Sequence, residues 1–162
     1  MQDAPQPDQL LAAVLRFLRD EAGPALARSG HSALAYQARV AANMLEIAGR
    51  ELRLGPAADA CELARLRALL GQAELAAEFP TDSAAALSEP AAATQAADPT
   101  ELRRRNQRLT DHIAAGTLGA DSPGLTEHLW LTTLAKLAVD QPGYDSYRRA
   151  IAAQSEPPDK DC

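Results

Sequence analysis

Hydrophobic residues recur every three to four positions along most of the chain, the spacing that places them on one face of an α-helix. Glycine and proline separate the segments that carry this pattern, and they set the expected helix ends. No stretch alternates in the manner of a β-strand, so the pattern predicts an all-α, single-domain bundle of about five helices. The predicted helices cover about 8–22, 32–54, 58–70, 98–116 and 122–140, and a short last helix covers 144–154.

The second predicted helix, 32–54, is apolar over well over half of its circumference. A helix of this kind is typical of the centre of a bundle. We therefore expect it to be the buried central helix, ended by Gly55-Pro56. Four of its side chains should be almost inaccessible to solvent: Val40, Met44, Leu45 and Ile47.

The polar residues of this helix form one narrow stripe, which allows two interpretations. Glu46 and Arg50 have the i,i+4 spacing of an ion pair on a solvated surface. The same stripe could instead line a polar cleft or contact a partner. We expect Asn43, at the edge of the stripe, to be substantially buried, and Arg39 to reach an acidic side chain on another helix, with Glu21 as the nearest candidate.

Asn106 occupies a core-type position in the fourth predicted helix, in line with Leu102, Leu109, Ile113 and Gly116. A buried amide without partners costs roughly 1–3 kcal/mol, so Asn106 should find hydrogen bonds. It either sets the register of the bundle or contacts a ligand.

The fifth predicted helix places large side chains on one side and polar ones on the other. Lys136 and Asp140 have the spacing of a surface ion pair. The residues expected to face the core are Trp130, Leu131, Leu134, Leu137 and Ala138, with Thr132 and Thr133 on the polar side.

Residues 72–98 are rich in alanine and contain Pro80 and Pro90, which favours a flexible insert between the third and fourth helices. The last residues, 155–162, should be disordered. The expected domain therefore covers residues 7–154.

The net charge of −6 argues against general binding to nucleic acid or anionic lipid, although RRRNQR at 103–108 is locally basic. No apolar run approaches the roughly 20 residues that a membrane span needs. Cys61 and Cys162 form no framework of spaced pairs and are not expected to form a disulfide. The sequence therefore favours a cytoplasmic protein.

The usual sequence signatures of chemistry are missing. His31, His112 and His128 are isolated and have no metal-ligand spacing. No nucleophile motif and no glycine-rich phosphate loop occurs. We therefore predict no catalytic residues, no metal and no cofactor.

Four stretches of the chain resemble, in this order, a bacterial family of small helical proteins that is classed as a domain of unknown function. They are RVAANMLEIAGREL at 39–52, RLGPA at 53–57, NQRLTDHIAAG at 106–116 and LTTLAKLAVDQP at 131–142. Members of this family tend to be encoded beside aminoglycoside-phosphotransferase-like kinases and acyl-CoA dehydrogenases. The resemblance implies an accessory role in acyl-CoA or hydroxy-acid catabolism and no established catalytic residue.

Two functional hypotheses follow. The first is a non-enzymatic accessory protein whose helix surfaces bind a kinase-like or acyl-CoA dehydrogenase-like partner. The second is a bundle that binds or transforms a small anionic ligand through Arg39, Asn43, Asn106 and Lys136. The candidate residues for binding a ligand or a partner are Arg39, Asn43, Arg50, Asn106, Lys136 and Asp140, and the pattern leaves the oligomeric state open.

Overall fold

The computed structural model describes residues 4–78 and 97–155, and the side chains of 4–71 and 97–154 within them. These residues form helices joined by turns and contain no β-strand, which confirms the all-α bundle. None of the helices they form has the length and apolarity needed to cross a membrane. The elements are α1 (Pro7–Arg16), a π-helical segment (Phe17–Ala22), α2 (Gly23–Arg28), α3 (Ser32–Glu78), α4 (Pro99–Ala114), α5 (Leu125–Asp140) and α6 (Asp145–Ser155).

Gly23 and Pro24 do not end the first helical run, contrary to the prediction. The backbone N–H of Gly23 instead donates to the carbonyl of Leu18, five residues earlier, at the end of the π-helical segment. This wider turn carries the chain past Pro24, which has no N–H to donate. The run ends at Gly30, whose φ of 81° is the left-handed conformation that glycine adopts without strain.

α3 is one helix of 47 residues, where the sequence predicted two helices and a flexible insert. The predicted stop at Gly55-Pro56 is wrong, because Pro56 lies inside the helix. An interior proline costs roughly 3 kcal/mol, but alanine, leucine and arginine on both sides are strong helix formers. Gly71 likewise does not end the helix. Residues 72–78 of the predicted insert are helical, while 79–96 and the predicted tail from 156 onward lie outside the described residues.

The chain divides into two compact units, Met1–Gly55 and Pro56–Cys162. In the first unit, Arg19 of the π-helical segment bonds to Asn43 and Glu46 of α3, and the burial pattern of both runs indicates that the first run lies against the N-terminal half of α3 as a helical hairpin. The hairpin seam on α3 consists of small buried residues at 35, 38, 42 and 49. The partly buried residues of the first helical run include Leu11, Leu15, Leu18 and Ala22, which share the same three- and four-residue spacing.

The prediction that residues 32–54 form a buried central helix is wrong. Met44 is 65% exposed, and Val40, Leu45 and Ile47 are only partly buried. The physical reason is that the first helical run is the only neighbour described for this half of α3, and a single helix covers only the side of α3 that carries the seam. Within residues 4–55 the buried residues are alanines and glycines, so no large side chain is fully enclosed there.

The second unit contains the leucine core. Leu66 and Leu70 on α3 are fully buried, and α4, the loop after it and α5 each add one leucine to the cluster around them. The central segment of this core is therefore residues 62–70 of α3. These residues belong to the predicted third helix, whereas the second predicted helix was expected to be central. The core leucines are Leu66, Leu69, Leu70, Leu109, Leu118 and Leu125, with Leu102 packed against them.

Both ends of α4 agree with the prediction. Asp98 is its N-cap, and the side-chain Oδ1 accepts a 2.9 Å hydrogen bond from the backbone N–H of Thr100. Gly116 follows the last turn with a φ of 73°. Thr117 N–H donates to the His112 carbonyl and Gly116 N–H to that of Ile113, the pattern of a Schellman motif.

α5 begins at Leu125, three residues later than predicted. Ser122-Pro123 belongs to the preceding turn, in which the backbone N–H of Gly119 donates to Ser122 Oγ at 2.9 Å. Gly124, with a φ of 80°, then turns the chain into the helix. α6 follows a short break at 141–144 and packs on α5.

Candidate functional site

A cluster of polar side chains lies among the helices of the second unit. Glu62 and Arg65 come from α3, Asn106 from α4, and His128 and Thr132 from α5. Three of them are buried, and Arg65 and Asn106 are partly buried. We call these five residues the buried polar cluster.

Two hydrogen bonds connect the three helices within this cluster. Asn106 Nδ2 donates to Glu62 Oε1 at 2.6 Å. Arg65 Nη2 donates to Thr132 Oγ1 at 3.3 Å. The core-type position of Asn106 thus has the partner that its burial requires, and that partner is a protein carboxylate.

His128 is the most enclosed member of the buried polar cluster, at 2% exposure. Its Nδ1 and the Nε of Arg65 are buried and have no hydrogen-bond partner among the described residues. Burial lowers the pKa of His128, and the positive charges of Arg65 and Lys136 lower it further, while Glu62 opposes the shift. The imidazole is therefore neutral at pH 7.

The buried polar cluster has the residue types of acid–base chemistry but not the access. A general base must come within hydrogen-bond reach of a bound substrate. The two concavities described below are lined by other residues, and His128 does not border either of them. The arrangement therefore connects helices rather than presenting a reactive group to solvent.

Sequence reasoning found only Asn106 of this cluster. The other members could have been found from the same spacing of three and four residues that placed Asn106 at a core-type position. Glu62 stands four residues before Leu66 on the buried face of α3. His128 and Thr132 continue the buried line that begins at Leu125 with steps of three and four.

The predicted orientation of α5 is wrong for several residues. Thr132 was assigned to the polar side and is buried, while Trp130 was assigned to the core and is 51% exposed. Of the predicted core residues, Leu134 is buried, and 131, 137 and 138 are partly buried. Hydrophobicity misled the assignment, because polar groups of α3 face this side of α5: Arg65 donates to Thr132, and the charges of Arg65 and Glu62 act on His128.

The first unit carries a second, more exposed group, the hairpin polar cluster of Arg19, Asn43, Glu46 and Arg50. Arg19 Nη2 donates to Asn43 Oδ1 at 3.3 Å and to Glu46 Oε2 at 2.7 Å. Arg50 pairs with Glu46 at 3.2 Å, as the i,i+4 spacing predicted. The hydrogen bond from Arg19 is the largest cause of the lowered pKa of Glu46.

The specific expectations for this stripe are wrong in two respects. Asn43 is exposed rather than substantially buried, and Arg39 and Glu21 are both exposed. Within residues 4–71 the structure contains no ion pair of Arg39. Arg19 takes the expected role, because it follows the seam residue Leu18 and projects to the side of the hairpin where Asn43 and Glu46 lie.

The remaining candidates lie on α5. Lys136 and Asp140 are both exposed, and within residues 97–155 no ion pair joins them. The structure thus brings Asn43 and Arg50 into one cluster through Glu46 and places Asn106 in another. Among the residues described, no group of three or more His, Cys, Asp or Glu side chains could hold a metal ion. Cys61 is an exposed free thiol, and Cys162 lies outside the described residues.

An apolar concavity of about 450 Å³, the Trp130 cleft, lies where the end of α4, the following loop and the start of α5 meet. A second concavity of about 600 Å³ lies at α6 and is lined by Asp145, Arg148, Arg149 and Ala152. The Trp130 cleft is open to solvent and almost entirely apolar. Its lining residues are Ile113, Leu118, Gly119, Ala120, Leu125, Thr126, Leu129, Trp130 and Thr133.

The fold and these clusters define a small all-α protein in which helices are joined by buried polar contacts and an apolar cleft lies open beside them. A family model described as a domain of unknown function, DUF6285, matches residues 28–144, and the chain belongs to this family. Comparison with curated proteins and with solved structures gives no match.

Proposed function

We propose that this protein is a non-enzymatic accessory protein that binds a partner protein through the Trp130 cleft. The observation that carries the proposal is the exposure of large apolar side chains around this cleft: Ile113, Leu129 and Trp130 are each between two-fifths and about half exposed. Large apolar patches of this kind on a folded protein mark interaction sites.

The chemistry of the cleft fits a protein surface better than a small molecule. Tryptophan is among the residues that most often dominate binding energy at interfaces, especially where surrounding contacts exclude water. Thr126 and Thr133 supply hydroxyls at the rim of the cleft. Small-ligand pockets, by contrast, enclose most of the surface of their ligand, and this cleft is open on one side.

The partner class comes from the family resemblance. We infer a bacterial, cytoplasmic protein encoded near aminoglycoside-phosphotransferase-like kinases and acyl-CoA dehydrogenases. One of these two classes of enzyme is the proposed partner, and a role in acyl-CoA or hydroxy-acid catabolism follows from it. Nucleic acid and membranes are not proposed as partners, because the chain carries a net charge of −6.

The test is co-purification with a tagged kinase-like or acyl-CoA dehydrogenase-like protein encoded nearby. Trp130→Ala should weaken the complex by at least about 30-fold, the effect of removing an interface residue worth roughly 2 kcal/mol. Tyr36→Ala is the matched control, because it removes an exposed aromatic ring from the first unit. Equal binding by both variants, or no complex with either class of enzyme, would overturn the proposal.

No observation favours the alternative function, an anionic ligand held by Arg39, Asn43, Asn106 and Lys136. None of these four residues lines either concavity. The side-chain amide of Asn106 already donates a hydrogen bond to Glu62, and Asn43 Oδ1 accepts one from Arg19.

A further inference from the structure

The helical hairpin of the first unit has one polar side and one apolar side. Phe17 precedes the seam residue Leu18 and Arg19 follows it, so Phe17 and Arg19 project to opposite sides of the seam. The contacts of Arg19 with Asn43 and Glu46 identify the polar side.

The other side of the hairpin, the apolar face, is built from both helices. The first helical run contributes Leu10, Val14 and Phe17, which follow one another at steps of four and three. On α3, Met44 and Leu52 lie on the same side of the seam, on the flank away from Asn43. All five side chains are between 47% and 65% exposed, and the smaller 41 and 48 lie between the last two.

The hairpin cannot supply the burial that these side chains require. Its seam encloses only small residues, whereas a helix with two adjacent apolar stripes is typical of a bundle in which it has two neighbours. The first run has one stripe in the seam, at 11, 15 and 18, and a second on the apolar face, at 10, 14 and 17. One more layer of helices would complete the packing.

We propose that the apolar face joins two copies of this chain into an antiparallel four-helix bundle. In the seam, large residues of α1 pack on small residues of α3. The apolar face repeats this composition, since leucine, valine and phenylalanine of the first helical run stand beside Ala41 and Ala48 on α3. A second copy offers the same complementary arrangement, as an interface with two-fold symmetry requires.

The size of the apolar face matches a dimer. An aromatic side chain buries roughly 150–250 Å², and half of that is a ceiling for each of these five side chains, so together they present at most on the order of 500 Å². One subunit of a standard interface buries about 800 Å², of which about 65% is apolar in homodimers. The face therefore supplies the apolar core of one standard interface without help from the Trp130 cleft.

The experiment measures the mass of the full chain by light scattering, together with the dependence of its Tm on concentration. A dimer of this kind should have twice the chain mass and a Tm that rises with protein concentration. Met44→Glu and Phe17→Glu should each weaken association by at least about 30-fold. Tyr36→Glu is the matched control, because Tyr36 is equally exposed but lies off the apolar face.

A wild-type chain that stays monomeric, with a Tm independent of concentration, would overturn the proposal. The apolar face would then be covered by a different protein or by another segment of the chain. A dimer that survives both glutamate substitutions would also overturn it, because another surface would then hold it. Where the wild-type chain is a dimer, a Met44→Glu chain that loses its helical circular dichroism while the control keeps it supports the proposal. A side chain that is 65% exposed in one copy is then sensitive to a charge because the second copy covers it.

Discussion

Asn106 on α4 donates a 2.6 Å hydrogen bond to the buried carboxylate of Glu62 on α3. The bond joins two helices that are separated in sequence by residues 79–98, and it lies beside the leucine core. A carboxylate in this position depends on its donor, because water reaches it poorly.

Asn106→Ala should therefore destabilise the protein by about 1–3 kcal/mol, since it leaves the buried Glu62 oxygen without this donor. Urea unfolding followed by circular dichroism measures the change. Gln107→Ala is the control on the same helix, because the side chain of the exposed Gln107 bonds to Asp111 one turn away on the surface, and it should change stability by less than about 0.5 kcal/mol. Equal losses in the two variants would show that the Asn106 bond contributes nothing.

His128 predicts a dependence of stability on pH. Because burial and Arg65 lower its pKa below the ordinary value of 6.5, the unfolded chain binds more protons than the folded one just below that pH. The contribution of neutral, buried His128 to the free energy of unfolding is complete above pH 6.5. It is lost as the pH falls through the lowered pKa. Unfolding free energies should decline as the pH falls below about 6.5, before most carboxylates titrate.

The matched pair for this test is His128→Gln and His31→Gln. The first should flatten the decline, because it removes the titrating group, and the second should keep it, because His31 is exposed. If the free energy of unfolding of His128→Gln declined as steeply with falling pH as that of the wild type, the pH dependence would belong to other residues.

Glu101 should titrate far below an ordinary glutamate. Hydrogen bonds from Arg67 and Arg105 hold the pKa of its carboxyl at about 2, compared with 4.5. The stabilisation from these pairs is present above pH 4.5 and is lost as pH falls toward 2. Carboxyl NMR should show the Glu101 pKa rising in Arg67→Ala, which removes the largest cause, but not in Arg104→Ala, which changes an exposed arginine on α4. High salt should weaken both ion pairs.

Gly116→Ala should cost about 1–2 kcal/mol, because alanine at a φ of 73° brings its Cβ close to the carbonyl oxygen. The added methyl group itself would meet open space, so backbone strain alone is tested. Gly143→Ala is the control, since it also meets open space and has no positive φ. The Tm values of the two variants should differ by several degrees. Equal Tm values would contradict the expected backbone strain of alanine at position 116.

The sequence predicted best where the determinants are local. The N-cap of Asp98, the glycine end of α4 near Gly116 and the pairing of Glu46 with Arg50 each depend on residues within a few positions of one another. Local signals failed at two of the prolines, Pro24 and Pro56. Gly23-Pro24 and Gly55-Pro56 were predicted to end helices, but a wider π-helical turn and strong helix formers on both sides carry the chain past them.

The candidate site shows the same limit. The spacing of Asn106 indicated a polar residue that needs a partner, but the partner, Glu62, stands 44 positions earlier and on another helix. His128 and Thr132 were passed over because their burial depends on the polar groups that face them. Arg39 was expected to join the polar stripe to an acidic side chain on another helix, but the contact between the helices comes from Arg19 of the π-helical segment, which bonds to Asn43 and Glu46.

By itself, the sequence determined that the chain is all-α and which of its positions can begin or end helices, since these properties follow from side-chain spacing and local backbone preference. The tertiary structure alone decided which helix faces are covered. An apolar stripe such as that of Met44 and Leu52 indicates that a partner is needed but does not name one, because the hydrophobic effect has no direction. Burial instead went to residues 62–70 of α3, where α4 and α5 supply leucines on several sides.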